Sequence, residues 1–201
     1  MAMKKPSDVL TKEEVKQFLR LPDRHSRLGL RDYAMLLMLY RTGARSAELA
    51  GLTKGDLDTS GKTLKVRLFG KAKKWRTVPV KDPKVLNSLR AYWKKIGYKP
   101  ADEDPVFLTN RITGHLAANG IIGEYVGFMI RRYVGELGLS KNITAHSWRH
   151  AFATHMLAGG TDIKTVSELL GHSSVAVTGK YLHSSDEQME KAAERFAKDF
   201  G

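Results

Sequence analysis

In LTKEEVKQFL, apolar residues recur at helical spacing, and Thr11 stands just ahead of the run with Glu14 three residues later. That is the capping-box pattern of a helix start. The next apolar stretch, LRDYAMLLMLYRTG, is dense enough to predict a core helix, ending at Gly43, where glycine can take a left-handed cap. SAELAGL (Ser46 to Leu52) reads as a short helix after that turn. The period then changes to two. Leu64, Val66 and Leu68 alternate with Lys65 and Arg67 in KTLKVRLFG, the signature of a half-buried strand. KWRTVPV (Lys74 to Val80) gives a second strand, leaving GKAKK (Gly70 to Lys74) as a basic hairpin loop.

Helical spacing returns in PKVLNSLRAYWKKIG and, beyond the loop YKPADEDPVFLTNRITG, in IIGEYVGFMIRRYVGELG. The latter aligns Ile122, Tyr125, Val126, Met129, Ile130, Tyr133, Val134 and Leu137 along one stripe. From Thr144 the chain predicts short helices: one from about His146 to Ala158, one capped by Thr161 and ending at Gly171, and one carrying VAVTGKYL. A last amphipathic helix is expected from about Asp186 to Lys198. With no repeat, low-complexity segment or linker, the expectation is one mainly α domain with a small antiparallel β-hairpin, an α+β arrangement over residues 1–201.

Charge changes the picture. The chain has 34 Lys and Arg against 21 Asp and Glu, a formal net charge of +13, which favours polyanionic partners, nucleic acid first. No cysteine is present, so disulfides, thiolate metal sites and cysteine nucleophiles are excluded together. MAMKKPSDVL lacks the apolar stretch of a secretory signal, and YAMLLMLY is too short to cross a bilayer. A soluble cytoplasmic protein acting on DNA, without membrane contact, is the expectation.

Four constellations hold candidate chemistry. AHSWRH places His146 and His150 four apart on one helical face, the spacing of a metal helix. Ser147 stands where a zinc-protease helix needs its glutamate, however, and Arg149 opposes a cation, so no metal is expected. Trp148 and Phe152 indicate that part of this helix is buried, and His150 reads equally as a core histidine. His146 and Arg149, three apart, can instead meet one phosphate. In TGARSAEL, Arg45 opens a helix and Glu48 can buttress a guanidinium; a plain surface ion pair is the alternative. The hairpin supplies Lys71, Lys73, Lys74 and Arg76 as candidate DNA contacts, or a solvated turn. ELLGHSSVAVTGKYL reads as a helix pair, with His172 at a helix end and Tyr181 nine residues on.

Taken in order, TGARSAEL, GKAKKWRTVPV, HSWRHAFATHML, LLGHSS and the following tyrosine resemble the tyrosine recombinases, the phage-integrase and Xer-type family. The resemblance runs from LTKEEVKQFL nearly to the C-terminus and covers the family's catalytic domain, so it implies that fold. It implies six catalytic residues: Arg45, Lys71, His146, Arg149, His172 and Tyr181. Lys71 is preferred over Lys73 and Lys74 because it follows Gly70 directly. Glu48 and His150 are implied as support. The activity implied is site-specific cutting and rejoining of double-stranded DNA through a 3′-phosphotyrosyl link, with strand exchange through a Holliday junction, needing neither metal nor cofactor. Self-association is implied too, as a tetramer on DNA and a monomer without it, with the last helix packing on a neighbour.

Two departures stand out. Gly179 sits two residues before Tyr181 and weakens a helix there by about 1 kcal/mol relative to Ala, so a mobile tyrosine segment is expected. Ten residues before the first helix are too few for the N-terminal core-binding domain that family members carry, so that domain is expected to be absent. A type IB topoisomerase shares the phosphotyrosine chemistry, and a non-catalytic DNA-binding regulator built on the helix pair is the other alternative.

Overall fold

Local capping decides where the helices begin. In the computed structural model, which describes residues 9–70, 74–109, 120–172 and 178, the backbone N–H of Glu14 donates to Thr11 Oγ1 (3.1 Å) and that of Thr11 to Glu14 Oε2 (2.8 Å). This reciprocal pair starts α1 (Lys12–Arg20), which buries Val15 and Phe18. α2 (Arg27–Thr42) begins at a Ser26 cap and stops at Gly43, whose φ of 61° is the left-handed cap expected there. It is the central helix, packing on α1, α4 and α6, with Ala34 to Leu39 all buried.

α3 (Ser46–Ala50) follows at once, then a single 3-10 turn (Lys54–Asp56) and strands β1 (Leu57–Asp58), β2 (Leu64–Phe69) and β3 (Trp75–Val80). The expected hairpin is present and gains a third strand, giving an antiparallel sheet in the order β1-β2-β3. Leu64 pairs with Val80 and Phe69 with Trp75, so Leu64, Val66, Leu68, Val78 and Val80 face the core and Lys65 and Arg67 face out. At two residues, β1 is too short for a period to be read from sequence.

α4 (Pro83–Lys95) is capped by Asp82. Residues 98–106 after it are pinned, because Trp93 Nε1 donates to the Val106 carbonyl (2.9 Å) and Tyr98 Oη to that of Pro105 (3.1 Å). α5 (Gly123–Leu137) buries Val126, Met129, Ile130 and Tyr133. Ile122, expected on that stripe, precedes the helix as its N-cap and is 61% exposed. Between α2 and α5 lies a buried ionic cluster. Asp32 accepts from Arg31 (3.3 Å), Arg132 (2.8 Å) and Tyr133 Oη (3.2 Å), while Arg31 also donates to the Leu108 carbonyl (2.8 Å) and to Tyr125 Oη. Two buried charges at such a junction are tolerated because each is paired and hydrogen-bonded.

α6 (Ala145–Ala158) starts one residue before the expected His146, with Thr144 as its cap. α7 (Ile163–Leu170) is capped by Asp162, not by the expected Thr161: Asp162 Oδ1 accepts from the Thr165 N–H (2.9 Å). Either residue is a good cap type, and only the backbone turn decides between them. Phe152, Ala153, Val166 and Leu170 form a small apolar cluster between these two helices. The segment VAVTGKYL, Thr178 apart, and the last helix expected from Asp186 lie outside the described residues. Among the described residues no helix is long and apolar enough to cross a membrane.

Candidate active site

The candidate residues meet where the ends of α2 and α7 face the start of α6. Gly43 makes this approach possible. A Cβ there would lie 2.6 Å from Phe152 Cδ1 and 2.9 Å from Leu170 Cδ2, and the positive φ strains any L side chain in addition. Arg149, on α6 and only 2% exposed, spans the junction. Its Nη1 donates to the Gly43 carbonyl (2.8 Å) and its Nη2 to the Leu170 carbonyl (2.5 Å). Those carbonyls close α2 and α7, so the cation sits at two helix C-termini, where the helix dipoles favour it.

Arg45 leads into α3 in extended conformation. Glu48 one turn later takes its Nη1 on Oε1 (2.7 Å) and its backbone N–H on Oε2 (2.8 Å). The same carboxylate receives Arg76 in bidentate fashion, Nη1 to Oε1 (2.8 Å) and Nη2 to Oε2 (2.7 Å). Burial alone would raise the Glu48 carboxyl, but the Arg76 hydrogen bonds and charge, with the Arg45 backbone N–H, hold it down at about 2.

Arg76 was expected with the loop lysines as an outward DNA contact. Its side chain is 8% exposed and turns inward, with Nε donating to the Leu169 carbonyl (2.8 Å), because β3 puts residue 76 on the face of Val78 and Val80. It therefore braces Glu48 and α7. Sequence reasoning missed this role, since the partner lies 28 residues away.

His172 follows Gly171, the left-handed end of α7, and its Nδ1 lies 2.8 Å from Thr178 Oγ1. Burial first, then the charges of Arg149, Arg45, Arg76 and His146, pull its pKa from 6.5 to about 4. His146 is exposed at the start of α6, and His150 sits a turn on with Nδ1 3.1 Å from Thr154 Oγ1 of the same helix. Trp148 is fully buried against Phe18 (ring centroids 5.4 Å apart).

Lys71, Lys73 and Tyr181 lie outside the described residues. Gly70, the residue before Lys71, is within it: a Cβ there would meet Glu48 Oε1 at 3.2 Å and Arg76 Nη1 at 3.5 Å. Gly70 thus borders the arginine cluster. Lys74, at the far end of GKAKK, is exposed. Among the described residues no group of three His, Asp or Glu side chains is placed to hold a metal ion.

A histidine ring neutral to about pH 4 has a measurable consequence. Its folded pKa lies below the unfolded value near 6.5, so the unfolded chain takes up the proton first and stability falls as pH drops from 6.5 toward 4. The difference in Tm between the parent and a His172→Gln variant is expected to shift against the parent over that window. A difference independent of pH would contradict the neutral, crowded ring.

The family model of the phage integrase family matches residues 8–188. The chain belongs to that family. Its curated relatives include the tyrosine recombinase XerC of Myxococcus xanthus, 40% identical over 91% of this chain, and the tyrosine recombinase XerD of Staphylococcus haemolyticus, 34% identical over 96%. The chain spans 60% of the length of that XerC and 63% of that XerD. Among solved structures, XerA recombinase superposes with a TM-score of 0.74 at 28% identity, covering 98% of this chain and 66% of that one. XerH, solved as a post-cleavage complex with its palindromic difH substrate, superposes with a TM-score of 0.77 at 24% identity, covering 94% and 53%, and shows the shared fold. For this phage integrase family member, the tyrosine recombinase catalytic-domain fold expected from the motifs is therefore the fold observed.

Proposed function

We propose that this chain is the catalytic part of a site-specific DNA recombinase, a DNA-associated protein of the cytoplasm that cuts and rejoins duplex DNA through Tyr181. The observation that supports this most is geometric: Glu48 holds Arg45 and Arg76 together, and Arg76 and Arg149 bind the Leu169 and Leu170 carbonyls, just before His172. A phosphodiester is a stable anion, and charge that builds on its nonbridging oxygens during attack must be met by preplaced donors. Arg45 and Arg149, always cationic, supply the charge. His172 has Nδ1 2.8 Å from Thr178 Oγ1; in the tautomer in which Nδ1 accepts from that hydroxyl, the neutral ring has an Nε2–H to donate to the same oxygens.

In the proposed step, the Tyr181 oxygen attacks phosphorus and passes its proton to His146. The bond from phosphorus to the bridging 5′ oxygen breaks, and Lys71 delivers a proton to that oxygen as it leaves. The products are a 3′-phosphotyrosyl ester and a free 5′-hydroxyl, so the phosphoester energy is kept and a second 5′-hydroxyl can reverse the step. Two such rounds on two duplexes pass through a Holliday junction, performed by four protomers assembled on DNA. The protein's own cations supply the charge neutralisation, so cleavage is expected to persist in EDTA.

The test uses a nicked suicide duplex with a randomised core. The parent protein is expected to form a covalent protein–DNA adduct that Tyr181→Phe does not form. No adduct from the pool would overturn the proposal in favour of a DNA-binding regulator, and an adduct that survives Tyr181→Phe would overturn Tyr181 as the nucleophile. Relaxation of supercoils without joining of separate duplexes would mark a type IB topoisomerase instead.

A further inference from the structure

The hairpin presents a second surface that this chemistry does not use. Phe69 and Trp75 are the last register pair before the loop, with ring centroids 4.9 Å apart, and they are 49% and 57% exposed. Cross-strand aromatic pairs are common in sheets, but here both rings spend much of their surface on solvent. Arg67 lies over the Trp75 ring, with its guanidinium carbon 5.4 Å from the centroid, and Lys74 is exposed beside it. The nearby carboxylates add little negative charge outward: Asp56 pairs with Arg67 (3.2 Å) and is 8% exposed, and Glu48 is buried between two arginines.

We infer that Phe69 and Trp75 form a stacking surface for unpaired DNA bases next to the cleavage site. Aromatic rings flanked by cations suit a single strand, because only an unpaired base offers its flat face while its phosphates meet the charges. Position supports the same occupant. A cleft of about 100 Å³ between Phe69, Trp75 and α3 is lined by Ala47, Arg67 and Glu48, the carboxylate that holds Arg45 and Arg76. Trp75 also directly precedes Arg76 on β3. The inference rests on the strand-transfer reading: a strand released with a free 5′-hydroxyl must leave its complement before it can join another duplex. Its bases then need a face to rest on within a few nucleotides of the cut.

Tryptophan fluorescence tests this directly. Trp93 is 8% exposed and Trp148 fully buried, so Trp75 is the indole that solvent and ligands reach. Adding single-stranded oligothymidine to the parent protein is expected to quench the Trp75 emission more strongly than a paired duplex of equal length. By anisotropy of labelled oligothymidine, Trp75→Ala is expected to bind roughly ten-fold more weakly, while Trp75→Phe keeps most of the affinity. Circular dichroism on the variants confirms that the exposed substitution leaves the fold intact. Quenching absent or equal with duplex, or Trp75→Ala binding as tightly as the parent, would overturn the stacking surface. Should the covalent adduct form while oligothymidine leaves the emission unchanged, only this inference falls. Quenching without an adduct would instead retire the strand-transfer reading and leave the surface standing.

Discussion

Replacing Arg149 with alanine is expected to cost about 3 kcal/mol of stability and to reduce cleavage of the suicide duplex about a thousand-fold. The stability loss follows from the two carbonyls that its guanidinium satisfies. Gly43 and Leu170 would be left with buried acceptors facing a cavity, at roughly 1–3 kcal/mol each. The loss of activity follows from the proposed charge at the phosphate, since even one donor of an anion-stabilising set is worth about a hundred- to a thousand-fold. Arg149→Lys separates the two effects. An ammonium keeps the charge but has no planar fork to span both carbonyls, so part of the stability returns while cleavage stays on the order of a hundred-fold low. Urea denaturation and single-turnover cleavage read the two quantities. A parent-like midpoint for Arg149→Ala would show that the carbonyls do not depend on it.

The second large effect is expected at Glu48. Its carboxylate is 3% exposed and holds Arg45 and the 8%-exposed Arg76 together. Glu48→Ala leaves a buried cation uncompensated, a change worth about 3–5 kcal/mol in comparable pairs. Adding Arg76→Met to that variant is expected to restore part of the stability, because the stranded charge is removed along with its partner. Independent losses that simply add would refute the pairing. The pH dependence has a definite sign. With the folded carboxyl at about 2 against 4.5 unfolded, the stabilisation is complete above 4.5 and drains away as pH falls toward 2. Glu48→Gln is expected to flatten that acid limb of the Tm curve.

Much of the fold is legible because it is written in short-range patterns. The Leu64-Val66-Leu68 alternation, the Thr11–Glu14 box and the Gly43 stop each involve neighbours within four residues, and each is found where expected. What escapes the sequence is long-range. Arg76 reads as one more loop cation until the pleat turns it toward Glu48, and Arg132 and Tyr133, the partners of Asp32, lie about a hundred residues on, where no local pattern points to them. The cap of α7 escapes for a different reason, since Thr161 and Asp162 are both residue types that cap helices and backbone geometry selects the second. Within the site, the identities of Arg45, His146, Arg149 and His172 come from motif order, whereas the main-chain carbonyls that hold Arg149 have no side-chain signature at all.

On the proposed chemistry, those carbonyls bear on when the chain is able to break DNA. Arg149 draws on Gly43, more than a hundred residues earlier, and on Leu170, some twenty later. Its final environment therefore exists only after three distant stretches of chain have come together. A ribosome-bound nascent chain, a proteolytic fragment or a locally melted molecule holds the same arginine without that frame. On the proposed chemistry, such species are harmless to DNA: competence to break a strand arrives with the last closure of the fold and departs with the first opening.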